Sequence, residues 1–566
     1  MASEELAPYV EKGILRATTD YGALPTCDAA SIYVETTMTN GMSMNVRILR
    51  NAHVYTGSPA HRWATALAIV DGKAVALDDQ ALGWQEAPGS VTEDLEGAFV
   101  MPGIIDAHIH LMWYARGLQE LDLRDLSRQD TLDQVAEAAT RLPPGTWIVG
   151  RGWDQNIWLD TSFPTAQELD KAAPDHPVAL NAKNGHALVA NSQAMEAARV
   201  SANTPDPLHG RIARDERGEP TGIFFEDAIY LISRIRPEPD LDTLVDLFNQ
   251  AQDNLLAQGI TSVHDVDGHP SFSVAQELRR QGHQRVRIVK YVRLEALDAI
   301  LDAGLRSGLG DDWLRFGGLK LFVDGALGSR TAAMFEPYEE EPDNTGLLTL
   351  EPDQLAQIAR RTAEGGVAMA IHAIGDRANR LVLDVLESVR PISPFLRHRV
   401  EHVQLITPED QRRLAQNDLV ASMQPTHAIH DIKMADRYWG KRSRHAYAWR
   451  SLKDAGARLA FGSDAPIEIF DPFLGLYAAV TRRSESDGAP GPEGWYPQQR
   501  LSLTEALEAY TLGGAYAAGL EKRLGCLMPG YHADLIVLDR NILEIPAKEL
   551  LATKVDRAMV GGVWRL

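Results

Sequence analysis

Three features of this 566-residue sequence predict an α/β protein, a (β/α)8 TIM barrel with a small β-sandwich built from both chain ends and an insertion after barrel strand one. The middle of the chain alternates short apolar runs with amphipathic segments of helical period, the pattern of parallel βα units. Eight such runs fit a closed barrel. Short β-branched runs broken by Gly and Asp stand at both ends of the chain, on either side of that middle.

Residues 1–43 show no strong periodicity and read as a loosely ordered extension. Organised sequence starts at Asn45-Val-Arg-Ile-Leu-Arg-Asn-Ala-His-Val-Tyr-Thr56, and 44–102 form the first half of the sandwich. The second half is 520–566, with Gly525-Cys-Leu-Met-Pro-Gly530 and Ala533-Asp-Leu-Ile-Val-Leu-Asp539. Between them 103–519 form the barrel, with strands expected at 103–107, 261–265, 287–291, 318–322, 369–372, 400–403, 420–424 and 459–462. Helices fall between, as at 241–257, where Leu244, Leu247, Phe248, Ala251 and Leu255 share one face. The stretch 118–238 is too long for one crossover and reads as an insertion. Residues 484–499, rich in Gly and Pro, read as a surface loop.

Composition excludes more than it names. At 45% hydrophobic the chain buries a large core, while a net charge of −22 argues against nucleic acid and against an anionic membrane surface. Cys27 and Cys526 match no zinc or disulfide spacing, so a reducing, cytoplasmic setting is expected. No apolar run reaches the length of a membrane span. A homodimer is compatible with this size, although no segment establishes it.

In a TIM barrel, functional side chains project from the C-terminal ends of the strands. Strand one ends in Asp106-Ala-His-Ile-His110, and side chains two apart share a strand face, so His108 and His110 point into one space. Strand four carries Lys320 inside an apolar run, strand five His372, strand six His402, and strand eight Asp464. Singly, each has an ordinary explanation: a packed histidine, a snorkelling lysine, a helix-capping aspartate. Four imidazoles, an amine and a carboxylate, all at strand ends, instead point to a metal site, because neutral imidazole is the commonest ligand for a transition metal.

The sequence resembles the amidohydrolase superfamily from about residue 45 onward, and within it the amidohydrolase-3 branch that includes N-substituted formamide deformylases. The resembling segments are Asp106-Ala-His-Ile-His110, Gly185-His-Ala-Leu-Val-Ala-Asn191, Asp324-Gly-Ala-Leu-Gly-Ser-Arg-Thr-Ala332, Ile371-His-Ala-Ile-Gly-Asp376, Glu401-His-Val-Gln404 and Gly462-Ser-Asp-Ala-Pro466. The resemblance implies that His108, His110 and Asp464 hold one divalent metal together with Lys320, and that Lys320, His372 and His402 hold a second. It implies that Lys320 has reacted with CO2 to give a bridging carbamate, which requires a neutral amine. Burial and nearby cations favour that form.

Zinc, two per chain, suits imidazole and carboxylate ligands. Two metals roughly 3.5–4 Å apart share a water and make it a hydroxide near neutral pH. The hydroxide is then expected to attack the carbonyl of a small-molecule amide, of N-substituted formamide or N-acyl amine type, with Asp464 carrying the proton to the leaving nitrogen. Candidate substrate contacts are His186, Trp153 and Asp154 from the insertion, His427 after strand seven, and Asp324, four residues past Lys320. Two other readings are a mononuclear zinc aminohydrolase (deaminase) of a heterocycle and a non-catalytic regulatory protein on the same fold. The first lacks the Glu that such deaminases place near the metal, and intact residues at every strand end oppose the second.

Overall fold

The computed structural model describes residues 44–160, 162–183, 187–207 and 210–566. The 1–43 extension lies outside them. Eight parallel strands follow one another in chain order around one sheet: Ile104–Ile109, Ile260–Asp265, Arg287–Arg293, Leu314–Phe322, Ala368–Ala373, Arg399–His402, Val420–Met423 and Arg458–Phe461. The seam between the eighth and first is closed just past the strand ends. There the Asp464 amide donates to the His108 carbonyl (2.7 Å) and the His110 amide to the Ala465 carbonyl (2.9 Å).

Alternation along the strands sorts the interior from the helical layer. On strand three Ile288 and Val292 pack outward with the helices, whereas Val289 and Tyr291 face inward with Ala370 of strand five. The helix Leu241–Ala257 covers the outside; Asp240 caps its N-terminus through the Thr243 amide (2.8 Å), and Leu244, Leu247, Phe248, Ala251 and Leu255 are buried. Truncating a residue such as Phe248 in this face costs about 3–5 kcal/mol. At the N-terminal end of the barrel, Tyr516 and Ala517 pack with Ala107, Val420 and Ala460, and Leu520 and Leu524 with Ile105, so the chain plugs its own barrel from below.

The two chain ends pair as expected. One six-stranded sheet joins Val563–Trp564, Val555–Val560 and Leu535–Leu538 from the C-terminus to Phe99–Pro102, His53–Tyr55 and Trp63–Ala64 from the N-terminal side. A four-stranded sheet with edges Lys73–Leu77 and Val91–Asp94 faces it across a core that includes Leu49, Leu67, Ile69, Leu535 and Met559. The insertion after strand one has its own six-stranded mixed sheet, running from Leu121–Asp122 to Gly210–Arg214, with its own apolar core around Val135, Leu169 and Leu180.

The stretch 484–499 departs from the expected surface loop. Trp495 within it is buried, its indole N–H donating to Asp436 (3.0 Å) and its carbonyl accepting from the buried Arg482 guanidinium (2.6 Å). A single aromatic anchor thus outweighs the polar, Gly-rich composition around it. No helix among the described residues is long and apolar enough to cross a membrane.

Candidate active site

The site forms because the first and eighth strands are locked together at their C-terminal ends. Asp106 accepts hydrogen bonds from the His108 amide (3.0 Å), the Ser463 amide (3.0 Å) and the Ser463 hydroxyl (2.5 Å). Gly462 permits this contact, since a Cβ there would lie 2.4 Å from the His108 nitrogen. The chain then turns through a left-handed conformation at Asp464 (φ 61°), and strand six does the same at His402 (φ 74°). Non-glycine residues held in this region carry strain, and such residues cluster at functional sites.

These turns bring the strand-end side chains together. The Asp464 Oδ1 atom lies 3.3 Å from Nε2 of both His108 and His110. The His108 and His402 rings have centroids 5.0 Å apart, and those of His372 and His402 are 4.6 Å apart. Lys320 stands 4.8 Å above the ring centre of Phe322, which lies 5.2 Å from His372. The six residues read from the strand ends therefore converge on one place.

His427 joins them more closely than a contact at the rim would require, with Nε2 3.2 Å from Asp464 Oδ2. One ligand atom from each of His108, His110 and Asp464 lies within 4.8 Å of the others, and the same holds for His402, His427 and Asp464.

Each imidazole is oriented through its other nitrogen. His108 Nδ1 bonds to Glu401, His110 Nδ1 to Asp267 (2.7 Å), His402 Nδ1 to Gln424 (2.8 Å), and His372 Nε2 to the Gly325 carbonyl (3.0 Å). Acceptors at those positions fix the tautomer and leave the opposite nitrogen free to ligate, an arrangement typical of metal-binding histidines. None of these four partners was identified from sequence. Glu401 lies beside His402 in a segment singled out there, but its partner His108 is 293 residues away. Beneath the site Glu401 is paired with the buried Arg399, which also bonds His264 (2.8 Å) and Ser422 (2.7 Å).

Among the buried side-chain atoms without a hydrogen-bond partner are three at this point, His108 Nε2 and Asp464 Oδ1, which face each other at 3.3 Å, and Lys320 Nζ. A buried polar atom left unpaired costs about 1–3 kcal/mol, and here three of them converge from strands one, eight and four. They are a nitrogen lone pair, a carboxylate oxygen and an amine, a donor set that fits a divalent cation.

The electrostatics agree with this fit. Burial pulls the Lys320 ammonium down to about 8 against the opposing pull of Glu401 and Asp464, which brings its neutral form within reach. Burial and Lys320 push His372 down to about 3. His110 and His427 go the other way. Burial lowers them, but the carboxylates of Asp267 and Asp464 raise His110 to about 9, and Asp464 and Glu468 raise His427 to about 9. Burial would raise the Asp464 carboxyl, yet the three imidazoles around it hold it well below the usual carboxylate range.

The remaining sequence candidates are placed differently. Trp153 is fully buried in the core of the insertion beside Trp158 and Phe163, its indole N–H bonded to the Leu180 carbonyl (2.8 Å), so it presents no face to a substrate. Asp154, next to it, is half-buried. Asp324 accepts from the backbone amides of Ala333 (2.9 Å), Ile374 (3.0 Å) and Gly375 (2.8 Å), tying the loops after strands four and five together. Burial lifts its carboxyl to about 7 in spite of those bonds. It holds the loops around His372, and its Oδ1 lies 3.5 Å from His372 Nε2, so it is placed to orient that imidazole. His186 lies outside the described residues.

A (β/α)8 barrel with buried imidazoles, a carboxylate and a lysine amine converging at its C-terminal mouth is the architecture of a metal-dependent hydrolase. The Amidohydro_3 model, described as the amidohydrolase family, matches residues 91–564. The chain is 32% identical over 534 residues to Protein LONG AFTER FAR-RED 3 of Arabidopsis thaliana, covering 91% of this chain and 90% of that protein. It is 30% identical over 542 residues to the N-substituted formamide deformylase of Arthrobacter pascens, covering 91% and 97%. An uncharacterised metal-dependent hydrolase from Pyrococcus horikoshii OT3 superposes with a TM-score of 0.77 at 30% identity, covering 89% of this chain and 99% of that one. The chain belongs to the amidohydrolase family, in its amidohydrolase-3 branch, and is a hydrolase of carbon–nitrogen bonds other than peptide bonds.

Proposed function

We propose that this protein hydrolyses a small non-peptide amide, of N-substituted formamide or N-acyl amine type, at a two-metal centre with zinc as the metal. The observation that supports this most is the convergence of His108 Nε2, Asp464 Oδ1 and Lys320 Nζ, all buried and without hydrogen-bond partners. On this reading His108, His110 and Asp464 hold one ion and His372 and His402 the other. Lys320, once carboxylated by CO2, would be a ligand to both, and His427 would be a further donor beside Asp464. Bound there, the metal supplies Lewis acidity that polarises the amide carbonyl and lowers the pKa of water.

The protein's own groups carry the proton. Asp464, ionised and buried, accepts a proton from the attacking water as its oxygen bonds to the carbonyl carbon. It returns that proton to the departing nitrogen as the C–N bond breaks, leaving a carboxylic acid and an amine. His427, 3.2 Å from Asp464 Oδ2, holds the carboxylate in position through this exchange. Glu401, Asp267 and Gln424 fix the imidazole tautomers and so the directions of their lone pairs.

A screen of zinc- or manganese-loaded protein against N-substituted formamides, N-acyl amines, cyclic amides, carbamates and amino-heterocycles tests the reading. Release of amine and acid from the formamides or N-acyl amines is the expected result. Ammonia released from heterocycles alone would replace it with the deaminase reading.

A further inference from the structure

Arg293 ends barrel strand three and is paired in register with Lys320 on strand four. Tyr291 faces the barrel interior, so alternation puts Arg293 on the same inward face, one step nearer the mouth. Its stem runs along Gly268, where a Cβ would come within 3.0 Å of Arg293 Cγ. The guanidinium lies 4.6 Å from the ring centre of Phe322, the ring that also packs against Lys320 and His372. A cation is thus held firmly at the edge of the candidate metal centre.

What Arg293 lacks, among the described residues, is a hydrogen-bond partner; beside Phe322 it has only a long ion pair. The nearest carboxylate oxygen, Asp267 Oδ1, is 3.9 Å from its Nη2, beyond hydrogen-bond reach. Asp267 is already engaged, with Oδ1 bound by His110 and Oδ2 by the Trp113 amide (3.0 Å). With 27% of its side chain exposed, Arg293 opens its N–H groups to the mouth of the barrel while its stem is held by the wall. Arg399 on strand six behaves differently: it is paired with Glu401 and bonds four groups around it. A planar fork of donors, oriented and unspent, is matched to a carboxylate.

We infer that Arg293 anchors a carboxylate on the substrate, so that the amide cleaved here is an anionic one with its acid group a few bonds from the scissile C–N bond. This rests on the amide-hydrolase reading above and narrows its substrate class. Trp113, 46% exposed and edge-on to His110 at 5.8 Å, offers an apolar wall beside the same position.

The test compares two substrates that differ by the carboxylate alone, N-formylphenylalanine and N-(2-phenylethyl)formamide, on the metal-loaded wild type, Arg293→Gln and Arg293→Lys. Expected is a wild-type preference for the acid, and a fall of ~10–100-fold in its kcat/KM in Arg293→Gln, carried mainly by KM. The neutral formamide should change less than about threefold, and Arg293→Lys should recover part of the loss because it keeps the charge without the fork. An equal loss on both substrates, or a wild type indifferent to the carboxylate, overturns the anchor while leaving amide hydrolysis standing.

Should neither formamide be cleaved, hydrolysis of this type fails, and binding decides the anchor separately. Calorimetric titration of the metal-loaded protein with N-benzylglycine should show an affinity that Arg293→Gln weakens by ~10-fold or more. Equal affinity in the two proteins, or no binding to the wild type, overturns the anchor on its own.

Discussion

At the lower end of the barrel Arg287 makes a two-pronged contact with Asp534 (2.6 and 2.9 Å), tying strand three to the sandwich, and Asp534 also accepts from the Gly561 amide (2.8 Å). At the upper end, buried to the same degree, Lys320, His108 and Asp464 each keep an atom with no partner. Both ends cost desolvation; the lower one recovers it in hydrogen bonds within the chain, the upper one only in part. Charge that is satisfied in the chain holds the fold, and charge left open is poised for something that the chain does not contain. His427 and Asp324 show the same division within the mouth, the first turned to Asp464 and the second spent on three backbone amides.

Substitutions at the two ends should separate cleanly. The largest effect is expected at the open end, where Asp464→Asn should lower turnover of an accepted amide ~10³–10⁴-fold in protein that still folds. Retained activity would remove Asp464 from the proton path. Next comes a paired test of stability. Asp534→Ala strands a buried guanidinium and should cost about 3–5 kcal/mol in urea unfolding. Lys320→Met removes an unpaired buried amine, so it should leave the metal-free fold as stable or more so while abolishing activity. If Lys320→Met destabilises as much as Asp534→Ala, the contrast between the two ends is wrong.

A smaller effect is expected where the ends meet, at Glu401 between Arg399 and His108. Glu401→Gln should weaken metal affinity about 10–100-fold, read by competition with a chelating dye. The smallest concerns pH. His110 and His427 sit at about 9 in the metal-free fold, above the ordinary imidazole value of about 6.5, so their protonated forms are the stabilising ones. That stability is fully present below about pH 6.5 and is lost as the pH rises through about 9. The urea midpoint of chelator-treated protein should therefore fall across this window, and a midpoint that rises would show that the carboxylates do not hold these protons.

The sequence carried the barrel well because its strands are short, apolar and bounded by turn residues, and the observed strands lie within a few residues of the expected ones. The strand-end side chains were legible for the same reason, since a period of two fixes which of them face inward. What surrounds them was not legible. Glu401, Asp267 and Gln424 meet their histidines across gaps of 293, 157 and 22 residues, and nothing local distinguishes them from other polar residues.

Trp153 looked like a pocket residue by position, yet it fills a core that the insertion builds for itself, while Asp324 clamps two loops beside His372. Arg293 drew no notice, because its lack of a hydrogen bond among the described residues shows only in three dimensions.

Metal content tests the central claim most directly. Protein purified without chelator should contain about two divalent ions per chain by plasma mass spectrometry, and Lys320→Met should lose them together with activity. One ion per chain would favour the mononuclear reading, and a fully active protein with none would contradict the account.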